Sequence, residues 1–128
     1  MSSDRIFVAA RNNIDAFDYL NQRKNEDGVI LVYTYDLRLT EVLQYPFALR
    51  DMHQIVYFDN KLWVTCSYEN MVAVYNFSEW TRWYPAENKE HRGSDINHFN
   101  SLWADESSLY VVTHNNGPSE VWRFSILL

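Results

Sequence analysis

An all-β chain assembled from repeated four-stranded units is the fold class this sequence predicts, and three observations predict it. A pattern of apolar, aromatic, polar, aromatic, then Ser or Asp occurs at Val32-Tyr33-Thr34-Tyr35-Asp36, Val74-Tyr75-Asn76-Phe77-Ser78 and Val121-Trp122-Arg123-Phe124-Ser125. A triplet precedes each copy, at Ile6-Phe7-Val8, Leu62-Trp63-Val64 and Leu109-Tyr110-Val111, with the β-branched and aromatic content of strands. Twelve positions separate Leu62 from Val74 and Leu109 from Val121, so the same two strands recur at one spacing.

Taken in order, the elements of one unit are four strands, A to D. Strand A is His53 to Phe58 in the second copy and Phe99 to Ala104 in the third, each followed by an aspartate at a turn, Asp59 or Asp105, 46 residues apart. The triplets are strand B and the five-residue patterns are strand C. Strand D is Leu39 to Leu43 and then Trp80 to Tyr84, stopped by Pro46 and Pro85, since proline cannot donate to a ladder. In the first copy 26 positions separate Ile6 from Val32, and the excess of 14 equals the length of Ile14 to Asp27, which reads as an insertion. Within it Ile14, Phe17 and Leu20 hint at one amphipathic turn. Four-stranded repeats of about 40 to 50 residues are the mark of β-propeller blades, whereas sandwiches and barrels do not repeat at that period. The expectation is a single domain of three blade-like repeats, approximately 1–46, 47–90 and 91–128, with the insertion at 14–27.

Leu62-Trp63-Val64 with Val74-Tyr75-Asn76-Phe77, and Phe99-Asn100-Ser101-Leu102 through His114-Asn115-Asn116-Gly117-Pro118-Ser119-Glu120-Val121, resemble blades of bacterial β-propeller proteins of uncharacterised function. The resemblance covers most of residues 51 to 125. It implies the fold and no activity, because blade consensus positions mostly encode packing.

The first copy lacks strand A and the third lacks strand D, while propellers close with about four to eight blades. An open arc exposes strand edges that recruit other copies, and a head-to-tail contact whose rotation closes makes a ring. The expected assembly is a homo-oligomer, most simply a dimer giving six blades. The opening Met1-Ser2-Ser3 favours this over a fragment of a longer propeller, which the apolar Ile126-Leu127-Leu128 would also fit.

Composition limits the partners. Eleven Lys and Arg against 17 Asp and Glu give a net charge of -6 without a basic cluster, so nucleic acid is not expected. No apolar run reaches the length of a membrane span, and one cysteine, Cys66, cannot form an internal disulfide. A cytoplasmic location is the expectation. Cys66 aligns with Ala10 and Thr113, a position that wants a small packed residue. A thiolate nucleophile there is the weaker reading.

The B-to-C connections and the starts of strand A fall at one end of the blades, where loops on a rigid scaffold bind ligands. The repeat brings to that end Arg11, Asn12 and Asn13, then Ser67, Tyr68 and Glu69, then His114, Asn115 and Asn116, joined by Asp51, His53, Gln54, Asn97, His98 and Asn100. The expected ligand-binding face is Arg11, Asn12, Asp51, His53, Asn97, His98, His114 and Asn115. His53, His98 and His114, three of the four histidines, are the metal-ligand candidates if any, because neutral imidazole ligates transition metals. The first reading is that His53 and His98 bond loop backbones and that His114-Asn115-Asn116-Gly117 is a turn, so no cofactor is expected.

Five Trp and nine Tyr suit sugar recognition where rings stand open beside polar groups. Trp80, Trp83 and Tyr84 on strand D are the candidates, since Tyr33, Tyr75 and Trp122 occupy fixed positions that fill space between blades. The sequence has no GxGxxG, Walker, GxSxG, HExxH or paired CxxC motif, so the expected function is a self-associating binding or scaffold module presenting its loop face to a protein or glycan. The alternative is a metal-assisted propeller enzyme, lactonase- or lyase-like, using the same histidines.

Overall fold

The computed structural model describes residues 4–10, 28–86, 95–114 and 117–126. These residues form an all-β structure of three antiparallel sheets. The first comprises β1 (Arg5–Ala10), β2 (Val29–Thr34) and β3 (Leu39–Val42); the second β4 (Met52–Phe58), β5 (Lys61–Cys66), β6 (Met71–Tyr75) and β7 (Trp80–Trp83); the third β8 (Phe99–Ala104), β9 (Ser108–Thr113) and β10 (Glu120–Ser125). Within each sheet the spatial order follows the chain order. The insertion 14–27 lies outside the described residues, and so do residues 87–94. No helix among the described residues is long and apolar enough to cross a membrane.

Turn chemistry joins the strands. Asp59 and Asn60 both take positive φ, 52° and 56°, between the paired residues Phe58 and Lys61. That is a two-residue hairpin of the kind Asn and Asp tolerate. At Asn76 the side-chain oxygen accepts the N–H groups of Ser78 and Glu79 at 2.9 and 2.8 Å, and at Asp105 those of Ser107 and Ser108, both at 2.8 Å. Each Asx arrangement satisfies two turn donors without a strand partner. Gly28 donates to the Leu49 carbonyl at 2.9 Å. A Cβ there would lie 2.6 Å from that same oxygen and collide with the Met52 side chain, so only glycine lets the two backbones approach.

Two cores lie between the sheets. Ile30, Val32 and Leu43 meet Leu62, Val64, Cys66, Met71 and Ala73 in the first; Val72 and Val74 meet Phe99, Leu102, Leu109 and Val111 in the second. The apolar run Met71-Val72-Ala73-Val74 of β6 is thus buried on both faces, and β5 alternates Leu62 and Val64 toward one core with Trp63 toward the other. Period-2 alternation explains the split. Cys66 is fully buried, and burial raises its thiol above the ordinary cysteine value. It fills space, as its alignment with Ala10 and Thr113 predicts.

Register corrects one equivalence. Ile6 pairs with Tyr33 and Leu62 with Tyr75, but Leu109 pairs with Phe124. The residue matching Tyr75 is therefore Phe124, two places beyond Trp122. The cause is the longer connection between Thr113 and Glu120 than between Cys66 and Met71. A slip of two preserves which face each side chain takes, so Trp122 still turns inward and reaches the Phe99 ring at 5.8 Å.

The aromatic residues of β7 also depart from expectation. Trp80 stacks on Tyr75 with centroids 4.6 Å apart and meets Tyr45 and Phe47 edge-on, while its indole donates to the Gln44 carbonyl at 2.9 Å. Trp83 meets Trp63 and Phe124 edge-on, and Tyr84 is buried. These rings pack against the two cores. Trp80 and Trp83 remain half-buried beside these partners, and Tyr84 is the one of the three that is buried.

Candidate functional site

Strands β1, β4 and β8 lie side by side, and side chains bridge the latter two where no ladder does. The Gln54 amide oxygen accepts the Leu102 N–H at 2.5 Å, and Ser67 Oγ donates to the Phe99 carbonyl at 2.6 Å. Gln54 thus joins two sheets. Ser67 and Tyr68 are buried, and Glu69 pairs with Arg50 at 2.7 Å, so this B-to-C connection supports the site from below.

The starts of β4 and β8 carry the polar cluster. Asp51 and His98 precede these strands at equivalent positions, both with positive φ, 52° and 49°, and Asp95 has φ 50°. Left-handed backbone at non-glycine residues gathers at functional sites because surrounding contacts must enforce it. Here the enforcing contacts are the Ser67 N–H on the Asp51 carbonyl at 3.1 Å, the Asp95 N–H on the Tyr68 carbonyl at 3.3 Å, and the Asn97 N–H on Asn70 Oδ1 at 2.9 Å. A bulge then follows each start, between Met52 and Ile55 and between Phe99 and Ser101, which turns His53 toward His98.

The resulting geometry is compact. His53 Nε2 lies 3.5 Å from Asp51 Oδ1, and His98 Nδ1 lies 2.9 and 3.0 Å from the two oxygens of Asp95. The imidazoles of His53 and His98 meet edge-on with centroids 4.7 Å apart, and His114 stands 6.0 Å from His98. The Asp51 side chain is 2% exposed against 25% for His53, so a buried carboxylate faces a solvent-reachable imidazole. Burial raises the Asp95 carboxyl above its ordinary value, and the bond from His98 pulls it partly back.

The structure therefore brings together Asp51, His53, His98 and His114 of the residues singled out from sequence. Asn97 is buried beneath them, its carbonyl accepting the His114 N–H at 3.0 Å. Arg11, Asn12 and Asn115 lie outside the described residues. His98 bonds a carboxylate where a loop backbone was expected. Asp95 was not foreseen, since it falls three residues before His98 in a stretch without strand pattern; an Asp-x-x-His spacing was the available signal.

No protein-family model matches this chain, and neither a characterised protein nor a solved structure matches it. The resemblance to bacterial β-propeller proteins rests on the repeated residues alone.

Proposed function

We propose that this protein is a self-associating β-propeller module whose blades from two copies close head to tail, and whose polar loop end binds a protein or glycan ligand. One observation carries the assembly: the two outermost sheet faces are apolar and of complementary kind. The outer face of the first sheet holds Ile6, Val8, Leu31, Tyr33, Leu39 and Val42, none of which belongs to either core, and Leu39 is 51% exposed. The outer face of the third sheet holds Trp103, Tyr110, Val112 and Val121, with Trp103 and Val121 61% and 64% exposed.

These faces repeat an interface that the chain already makes twice. Phe7 of the first sheet and Trp63 of the second each turn toward the next sheet, and Tyr110 is the residue at that position in the third. Leu62 and Leu109 receive those contacts, and Ile6 stands at the receiving position in the first sheet. A second copy would thus bury the third sheet against the first by contacts of the same type, a heterologous interface that closes as a ring. Apolar patches of this breadth mark association surfaces. At the loop end His53, Asn97, His98 and His114 supply the donors and acceptors that a protein surface or a glycan would meet.

Light scattering tests the assembly, with the expected mass a multiple of 15.3 kDa. Val8→Glu and Trp103→Glu should each give a monomer at micromolar concentration, and mixing the two should restore a heterodimer, because one of the two interfaces is then intact. A wild-type monomer overturns the proposal, as does a mixture that stays monomeric.

A further inference from the structure

The geometry points to a divalent transition-metal site formed by Asp51, His53 and His98, with Asp95 as the outer-shell partner that orients His98. One ligand atom from each of the three lies within 4.8 Å of the others, and His53 Nε2 and Asp51 Oδ1 are 3.5 Å apart. Ligands about 2.0 to 2.2 Å from a tetrahedral zinc ion lie roughly 3.3 to 3.5 Å from one another, so this pair is already at ligand spacing. Only His98 must close in. Two imidazole nitrogens and one carboxylate oxygen are the donor set that borderline ions such as Zn²⁺, Co²⁺ and Fe²⁺ prefer, with the remaining positions open to water or a ligand.

Three further features fit a site better than a chance meeting of charges. The Asp51 carboxylate is buried beside the His53 imidazole, and a carboxylate oxygen next to an imidazole nitrogen is a donor pair that borderline ions accept. With the Asp95 carboxylate accepting a hydrogen bond from His98 Nδ1–H, the lone pair is left on Nε2, the arrangement that carboxylates impose on metal-bound histidines. Positive φ at Asp51, Asp95 and His98 shows a backbone held in place by its neighbours, which supplies rigidity before any ion arrives. His114 lies farther out, 6.0 Å from His98, and is not needed as a ligand. The site departs from the expectation that no cofactor is present. All its ligands come from one chain, so it stands or falls independently of self-association.

Calorimetry with Zn²⁺ and visible absorption with Co²⁺, on untagged protein stripped by chelator, test the site. The expected results are one ion per chain and Co²⁺ absorption bands of low coordination number. His53→Gln and His98→Gln should each weaken Zn²⁺ binding at least tenfold, and Asp95→Asn about tenfold to a hundredfold, while His114→Gln leaves it unchanged. Circular dichroism confirms that each variant is folded. Failure of the wild-type protein to bind either ion overturns the site, and so does binding that survives in folded His53→Gln and His98→Gln.

Discussion

Trp83 at the end of β7 meets Phe124 of β10 edge to face, with ring centroids 4.9 Å apart and planes at 82°. The contact joins the outer strand of the second sheet to the third sheet and sits over Leu109 and Val74 in the second core. Replacing Trp83 by Ala should cost about 2 to 3 kcal/mol, below the range for a fully buried Trp because the ring is half-buried. In a double-mutant cycle with Phe124→Ala, the coupling should be about 0.5 to 1.5 kcal/mol. Additive losses in denaturant melts would show that the rings stabilise the fold separately.

Trp122 and Leu109 both face the second core but differ in burial. Leu109 is fully buried, so Leu109→Ala should cost about 2 to 5 kcal/mol. Trp122 is half-buried at the sheet edge, and Trp122→Ala should cost about 2 kcal/mol despite the larger ring. Urea denaturation of the two variants compares them; an equal or larger loss at Trp122 would contradict its half-buried placement.

Substitution of Gly28 by Ala should destabilise the protein by about 1 to 3 kcal/mol, because the added methyl meets the Leu49 carbonyl as well as the Met52 side chain. Shortening Met52 to Ala in the same chain should not restore stability, since the clash with backbone remains. A thermal melt of the single and double variants decides it.

At Asp105 the expected effect is on pH dependence. The N–H groups of Ser107 and Ser108, aided by the Tyr110 hydroxyl, stabilise the carboxylate and lower its pKa below the ordinary value. A carboxyl lowered in the folded state stabilises the fold at neutral pH, and that contribution is lost as pH falls through the folded pKa. Asp105→Asn keeps an acceptor but not the charge. Its melting temperature should fall below wild type at pH 7, and the gap should narrow as pH drops below about 4. A gap that is constant with pH would assign the effect to geometry alone.

Cys66 should be inert while the protein is folded. Buried and with its thiol raised, it offers little thiolate to an alkylating reagent. Labelling with iodoacetamide should be slow in buffer and complete in denaturant, and rapid labelling of the native state would reveal an open route to the first core.

Much of the fold was legible in the sequence because its signals are local. The alternation Leu62-Trp63-Val64, the aromatic pattern ending at Ser78, and Asp59-Asn60 and Asp105 at their turns act over a few residues, and strands and hairpins follow from them. The repeat also indicated that Asp51, His53, His98 and His114 share one end. Tertiary structure alone decided the rest, because it depends on which sheet face meets which neighbour. Trp80 and Trp83 look like exposed outer-strand aromatics, yet Tyr45, Phe47 and Phe124, distant in sequence, half-bury them. Asp95 has no strand pattern to mark it, and it reaches His98 through a left-handed turn enforced by the Tyr68 carbonyl. The third register slipped by two because a hairpin loop can lengthen without disturbing the alternation that the sequence displays.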